Sequence, residues 1–151
     1  MKQVMKYGNH SDTHPHVNKL SKSQNIDEIQ NCNKKIESII NKKVNLYRCP
    51  YGEYNNTVIE AVESINMKAI QWNLDTLDYN GLTGNEMWKR LDGRISNGTI
   101  ILMHNGTKHT ADSLEQIITN IKKSGYNIVK VSDLVYDSNY SIDSTGMQIQ
   151  K

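Results

Sequence analysis

Between residues 25 and 43 the apolar side chains Ile26, Ile29, Cys32, Ile36, Ile39 and Ile40 recur at three- and four-residue steps. That is the period of one face of an amphipathic helix, and Asn25 with Glu28 has the spacing of a capping pair. Residues 44–47 form a short strand-like run that stops at Arg48-Cys49-Pro50-Tyr51-Gly52, where Pro and Gly mark a loop. Residues 57–66 then read as a helix with Val58, Ile59, Val62 and Ile65 inward. A second strand is expected over 68–74, and a helix over 83–95 opened by Thr83 with Glu86 three positions later. Gly98 ends that segment, and residues 99–103, Thr-Ile-Ile-Leu-Met, read as a third, fully buried strand. A helix over 110–123 ends before Gly125, and residues 127–131 make a fourth strand. Beyond Tyr136 the chain turns polar, which predicts a mobile tail over 137–151 after one domain spanning 1–136.

Strands alternating with helices of ten or more residues imply an α/β fold with a parallel sheet built of βαβ units. Such folds carry their chemistry at the C-terminal ends of the strands. The unusual residues fall there: Arg48 to Gly52 after the first strand, Asp75 and Asp78 after the second, His104 after the third. A short strand before His10 would put His10 and His14 in the same position. The pattern therefore predicts one active-site face.

Bulk properties narrow the choice of chemistry. A formal charge of +2, with Lys and Arg scattered along 151 residues, argues against a nucleic-acid-binding stripe. Cys32 and Cys49 have neither metal-type spacing nor the number of a disulfide framework, and read as structural or incidental thiols. No run of about 18 apolar residues exists to span a membrane, and the N-terminus has no apolar stretch of the signal-peptide kind.

His10-Ser11-Asp12-Thr13-His14 sets two imidazoles four residues apart, and on a helical turn both face one way and can hold one metal ion. Exposed histidines reach that spacing by chance, and a catalytic site usually takes three protein ligands. Asp12 could be a third ligand, although a solvated loop acid is the simpler reading, and His16 after Pro15 is expected to face solvent. Arg48 could orient a carboxylate with its planar fork or be a surface cation. The Pro50–Gly52 loop could aim a backbone N–H at a developing oxyanion. Asp75 and Asp78 after Trp72 could form an acid pair or be ordinary loop acids of the kind that follow strands. His104, at the end of an apolar strand, reads either as a core histidine or as a general acid.

These segments together resemble the polysaccharide deacetylases with a NodB-homology domain, carbohydrate esterase family 4. The family's H-[ST]-x-x-H motif matches residues 10–14, with Gly-Asn before it and Pro after it. R-x-P-[YF]-G matches residues 48–52, W-x-x-D-x-x-D matches Trp72 to Asp78, and I-[IV]-L-x-H matches Ile100 to His104. The resemblance implies a deformed (β/α) barrel and hydrolysis of the acetamide on an N-acetylated sugar polymer, such as peptidoglycan or a chitin-like chain. It implies that His10 and His14 bind a divalent metal, zinc by expectation, with cobalt or manganese acceptable. The Tyr51 N–H would hold the oxyanion, and Trp72 and Leu102 would line the acetyl pocket. His104 would protonate the departing amine, oriented by Asp75, and Arg48 would hold the carboxylate of the catalytic base.

That base belongs to the family's first motif, a T-F-D-D-type strand end, which does not occur in these 151 residues; the nine before His10 contain no acid. The expected fold is a partial barrel without its first strand-helix unit. Two functional readings follow: a deacetylase lacking its base segment, or a carbohydrate-binding remnant without turnover. The family resemblance places such proteins at the cell envelope or outside the cell.

Overall fold

The structure, a computed structural model, describes residues 5–143 and 145–151. It divides into two compact units, Met5–Gln71 and Trp72–Lys151.

In the first unit, α1 (Lys22–Ile40) begins three residues before the apolar periodicity suggests. Ser21 caps it, accepting the Gln24 N–H while the Gln24 side chain accepts from the Ser21 N–H. This reciprocal capping box satisfies two donors that a helix start leaves unpaired. Asn25 is not the cap: it is buried inside the first turns, where its amide donates to the carbonyls of Val17, Leu20 and Ser21. Asn41, in the left-handed conformation, ends the helix. Strand β1 (Leu46–Arg48) pairs in parallel with β2 (Lys68–Ile70) across α2 (Asn56–Ser64). The short strand expected before His10 is reduced to one bridge, Asn9 beside Tyr47 and parallel to it. Val17, Ile29, Tyr47, Cys49, Val58 and Val62 close this unit's core. Burial pushes the Cys49 thiol up to about 11, as suits an inert packing residue.

In the second unit, β3 (Leu74–Asp75) pairs in parallel with β4 (Ile101–Leu102). Helices α3 (Gly84–Leu91) and α4 (Thr110–Lys123) pack over Leu74, Met87, Leu91, Ile117 and Ile121. Gly84 sits where α3 meets α4: a Cβ built there would lie 2.7 Å from the Gln116 side chain and 2.8 Å from Ser113 Oγ. The strand expected over 68–74 is thus two strands, each paired in its own sheet. Asn73 lies at the break, its side-chain oxygen accepting the Ile100 N–H. The third strand is shorter than its apolar run, and only Leu102 of its two residues is buried. No strand forms over 127–131; Val131–Leu134 is instead a short helix, α5. The polar tail contains an antiparallel hairpin, β5 (Tyr140–Ile142) with β6 (Gln148–Gln150). Among the described residues no helix is long and apolar enough to cross a membrane.

Candidate active site

The histidine pair of the first unit converges. His10 Nε2 and His14 Nε2 lie 3.3 Å apart. His10 Nδ1 sits 2.8 Å from the Arg48 carbonyl, which can only accept. Nδ1 therefore carries the ring proton, and the Nε2 lone pair faces His14. Two tetrahedral zinc ligands at about 2.0–2.1 Å from the metal stand roughly 3.3–3.4 Å apart, so the observed spacing suits a shared cation. The second-nitrogen hydrogen bond to a carbonyl is the outer contact that metal-bound histidines commonly make. Among the described residues no group of three or more His, Cys, Asp or Glu side chains gathers here. Asp12, considered as a third ligand, turns away to pair with Lys35 at 2.5 Å.

The pair is not carried on a regular helix. Ser11 (φ 72) and His14 (φ 57) are both left-handed, a conformation costing about 1–2 kcal/mol for each such residue. Glu28, from α1, accepts from Ser11 Oγ at 2.6 Å, from the N–H groups of Asp12 and Thr13, and from Thr13 Oγ1. Burial would push its carboxyl up, but these hydrogen bonds outweigh that and hold it below the ordinary range. Nothing in the sequence singles out Glu28 for this part, because an acid on a helix surface does not show which loop it faces.

Arg48 closes β1, its N–H on the Asn9 carbonyl. Tyr51 occupies the following turn with φ 57, the left-handed region again, with Gly52 at φ 68 beside it. Its ring stacks on His16 at 4.4 Å and meets His14 edge-on at 4.6 Å. His16 Nδ1 pairs with Glu53 at 2.6 Å, a partner that its sequence position does not suggest.

The second unit holds the other candidates. His104 Nδ1 lies 2.7 Å from Asp78 Oδ1, and Asp78 Oδ2 accepts the His104 backbone N–H at 2.6 Å. Thr110 Oγ1 also donates to Oδ2, and Thr107 bonds Thr110 in turn. Asp78 is fully buried while its histidine is one-third exposed. Burial opposes the carboxylate, but the His104 and Thr110 hydrogen bonds prevail and lower its pKa. Nδ1 donates to that carboxylate, which leaves Nε2 as the atom for proton exchange.

The carboxylate bonded to the His104 ring is Asp78 and not, as expected, Asp75. Asp75 serves its own turn: Oδ1 accepts the Leu77 N–H at 2.8 Å, and its carbonyl accepts Arg90 Nε. That Asx turn carries Leu77 into the left-handed conformation (φ 52) and so presents Asp78. Trp72 is half-buried and Leu102 buried, with the Leu102 carbonyl taken by Thr76 Oγ1.

The profile of the family described as "Polysaccharide deacetylase" matches residues 2–70. The bifunctional xylanase/xylan deacetylase of Cellvibrio japonicus is 34% identical over 78% of this chain and 18% of its own length. The peptidoglycan-N-acetylglucosamine deacetylase PgdA of Listeria monocytogenes is 32% identical over 84% of the chain and 27% of its length. A solved family 4 pseudoenzyme from Bacillus anthracis superposes with a TM-score of 0.80 at 33% identity, over 84% of this chain and 45% of that one. The chain thus spans less than half the length of each of these three. It belongs to the polysaccharide deacetylase family, carbohydrate esterase family 4, and its α/β fold is part of that family's deformed (β/α) barrel.

Proposed function

We propose that this chain is the metal-binding and acid-bearing part of a deacetylase that removes N-acetyl groups from an amino-sugar polymer, either peptidoglycan or a chitin-like chain, at the cell envelope or outside the cell. The observation that carries the reading is the 3.3 Å approach of His10 Nε2 to His14 Nε2, with His10 fixed by the Arg48 carbonyl. His10 and His14 would hold a divalent ion, zinc by preference and cobalt or manganese by tolerance, which supplies Lewis-acid polarisation of the acetyl carbonyl and a more acidic water.

The remaining roles belong to protein groups. The Tyr51 N–H is proposed as the donor to the developing oxyanion, aimed by the left-handed turn. His104 is proposed to deliver a proton from Nε2 to the departing amine, its ring held through Nδ1 by Asp78. Asp75 acts one step back by shaping the turn that presents Asp78. Trp72 and Leu102 are proposed to line the acetyl-methyl pocket. Arg48 would hold the catalytic base, which the family's first motif supplies. Asp12 is not proposed for that part, since its carboxylate pairs with Lys35.

A second reading has its own support: the similarity to a pseudoenzyme raises a carbohydrate-binding protein without turnover. Acetate release from N-acetylated chito-oligosaccharides and peptidoglycan, with zinc or cobalt, separates the two. The expected result is release when the family's Asp-Asp strand segment is joined ahead of this chain, and none from the chain alone. Oligosaccharide binding by both forms with no acetate from either would establish the second reading in its place.

A further inference from the structure

We propose that Glu28 is a positioning residue for the His10–His14 pair, gathering the donors of the intervening loop and so setting how tightly the pair holds a metal ion. The inference rests on reading that pair as a metal site. The chain between the two imidazoles is three residues long, and all three donate to this one carboxylate. Oε2 accepts Ser11 Oγ at 2.6 Å, the Asp12 N–H at 3.1 Å and the Thr13 N–H at 2.9 Å, and Oε1 accepts Thr13 Oγ1 at 2.9 Å.

Oε2 takes three of these donors and Oε1 the fourth, and among the described residues Glu28 does not join His10 and His14 in a group of three that could hold a metal ion. Glu28 therefore acts through the loop and is not itself a ligand. Its anchorage is firm. The next residue, Ile29, is fully buried, and the Ile29 carbonyl accepts the side-chain amide of Asn9, the residue immediately before His10. Asn9 Oδ1 in turn accepts the Ser11 N–H at 2.8 Å. The loop is thus pinned to α1 at its entry by Asn9 and along its length by Glu28. With the carboxylate removed, two backbone N–H groups and two hydroxyls lose their acceptor together. Ser11 and His14 are then free to leave their left-handed conformations.

The test is the zinc dissociation constant of the whole chain, measured by competition with a chromophoric chelator, with thermal unfolding followed on the same samples. Glu28→Ala is expected to weaken zinc about 10- to 100-fold, the range found when outer-shell partners of metal ligands are lost. Glu28→Gln keeps an oxygen for the Ser11, Asp12 and Thr13 donors, and its affinity should lie nearer the unmodified chain than the Ala variant. A purely structural role would lower the melting temperature and leave the affinity of the folded protein unchanged. A folded Glu28→Ala chain that binds zinc as tightly as the original overturns the proposal, as does a Gln variant as weak as Ala. Should Glu28→Ala fail to fold, the Ser11→Ala/Thr13→Val double variant removes both hydroxyl donors from the loop side. It should weaken zinc in the same direction, and undiminished affinity would again refute the role. His14→Ala is the control on the underlying reading. If that change leaves zinc binding intact, the metal site and this inference fall together; if it alone abolishes binding, only the Glu28 role falls.

Discussion

Side chains of the same type differ here in what they touch, and that separates their roles. Asp75 and Asp78 stand three residues apart after one strand, yet one shapes a turn and the other grips a histidine. Both acids stand out in the sequence, but the expectation drawn from it pairs His104 with the wrong one. Spacing along a loop does not reveal that Leu77 turns left-handed and swings Asp78 inward. Asp78 is buried and accepts three hydrogen bonds, so Asp78→Asn is expected to cost about 1–3 kcal/mol at neutral pH in a denaturant titration. Asp75→Ala loses one turn-forming hydrogen bond and should cost about 1 kcal/mol. The sign of the pH dependence follows from the depressed pKa of Asp78. Such a group adds stability above the unfolded carboxyl value, about 3.9, and loses it as pH falls through the lower folded value. Stability should therefore fall below about pH 4 in the unmodified chain, and less steeply in Asp78→Asn. An equal slope in both would remove Asp78 from the account.

At the level of elements, helices are more legible in the sequence than strands, whose places show but whose bounds do not, for one physical reason. A helix such as residues 110–123 declares itself through several turns of periodicity, and the structure reproduces those bounds. The strands are two or three residues long, too short for a period-two pattern to stand out from any apolar run. The apolar residues over 68–74 therefore look continuous, although the chain passes from one sheet to another within them. Helix starts mislead where a buried polar residue stands near a true cap: Asn25 satisfies carbonyls inside α1, while Ser21 and Gln24 close it. Ser21→Ala should cost about 1 kcal/mol in thermal unfolding. Gly84 marks the close approach of α3 to α4, so Gly84→Ala should destabilise by about 1–3 kcal/mol despite Ala's higher helix propensity. A neutral or stabilising effect there would mean that Ser113 and Gln116 move aside without cost.

For the molecule as a whole, the family motifs are the most readable feature, because chemistry demands particular side chains at particular spacings. The histidines, the Arg48–Gly52 turn and His104 stand out once their motifs are taken together in order. What spacing does not show is the supporting contacts: Glu28 under the histidine loop, Glu53 on His16, Thr110 on Asp78. Those partners come from elements distant in sequence and carry no motif. The central claim is that His10 and His14 hold one divalent ion, and zinc content after equilibrium dialysis tests it most directly. The account predicts one zinc ion per folded chain, none retained by His14→Ala, and full retention by His16→Ala, whose ring is engaged with Glu53 and Tyr51. Equal zinc in all three proteins would contradict the assignment of the metal to the His10–His14 pair.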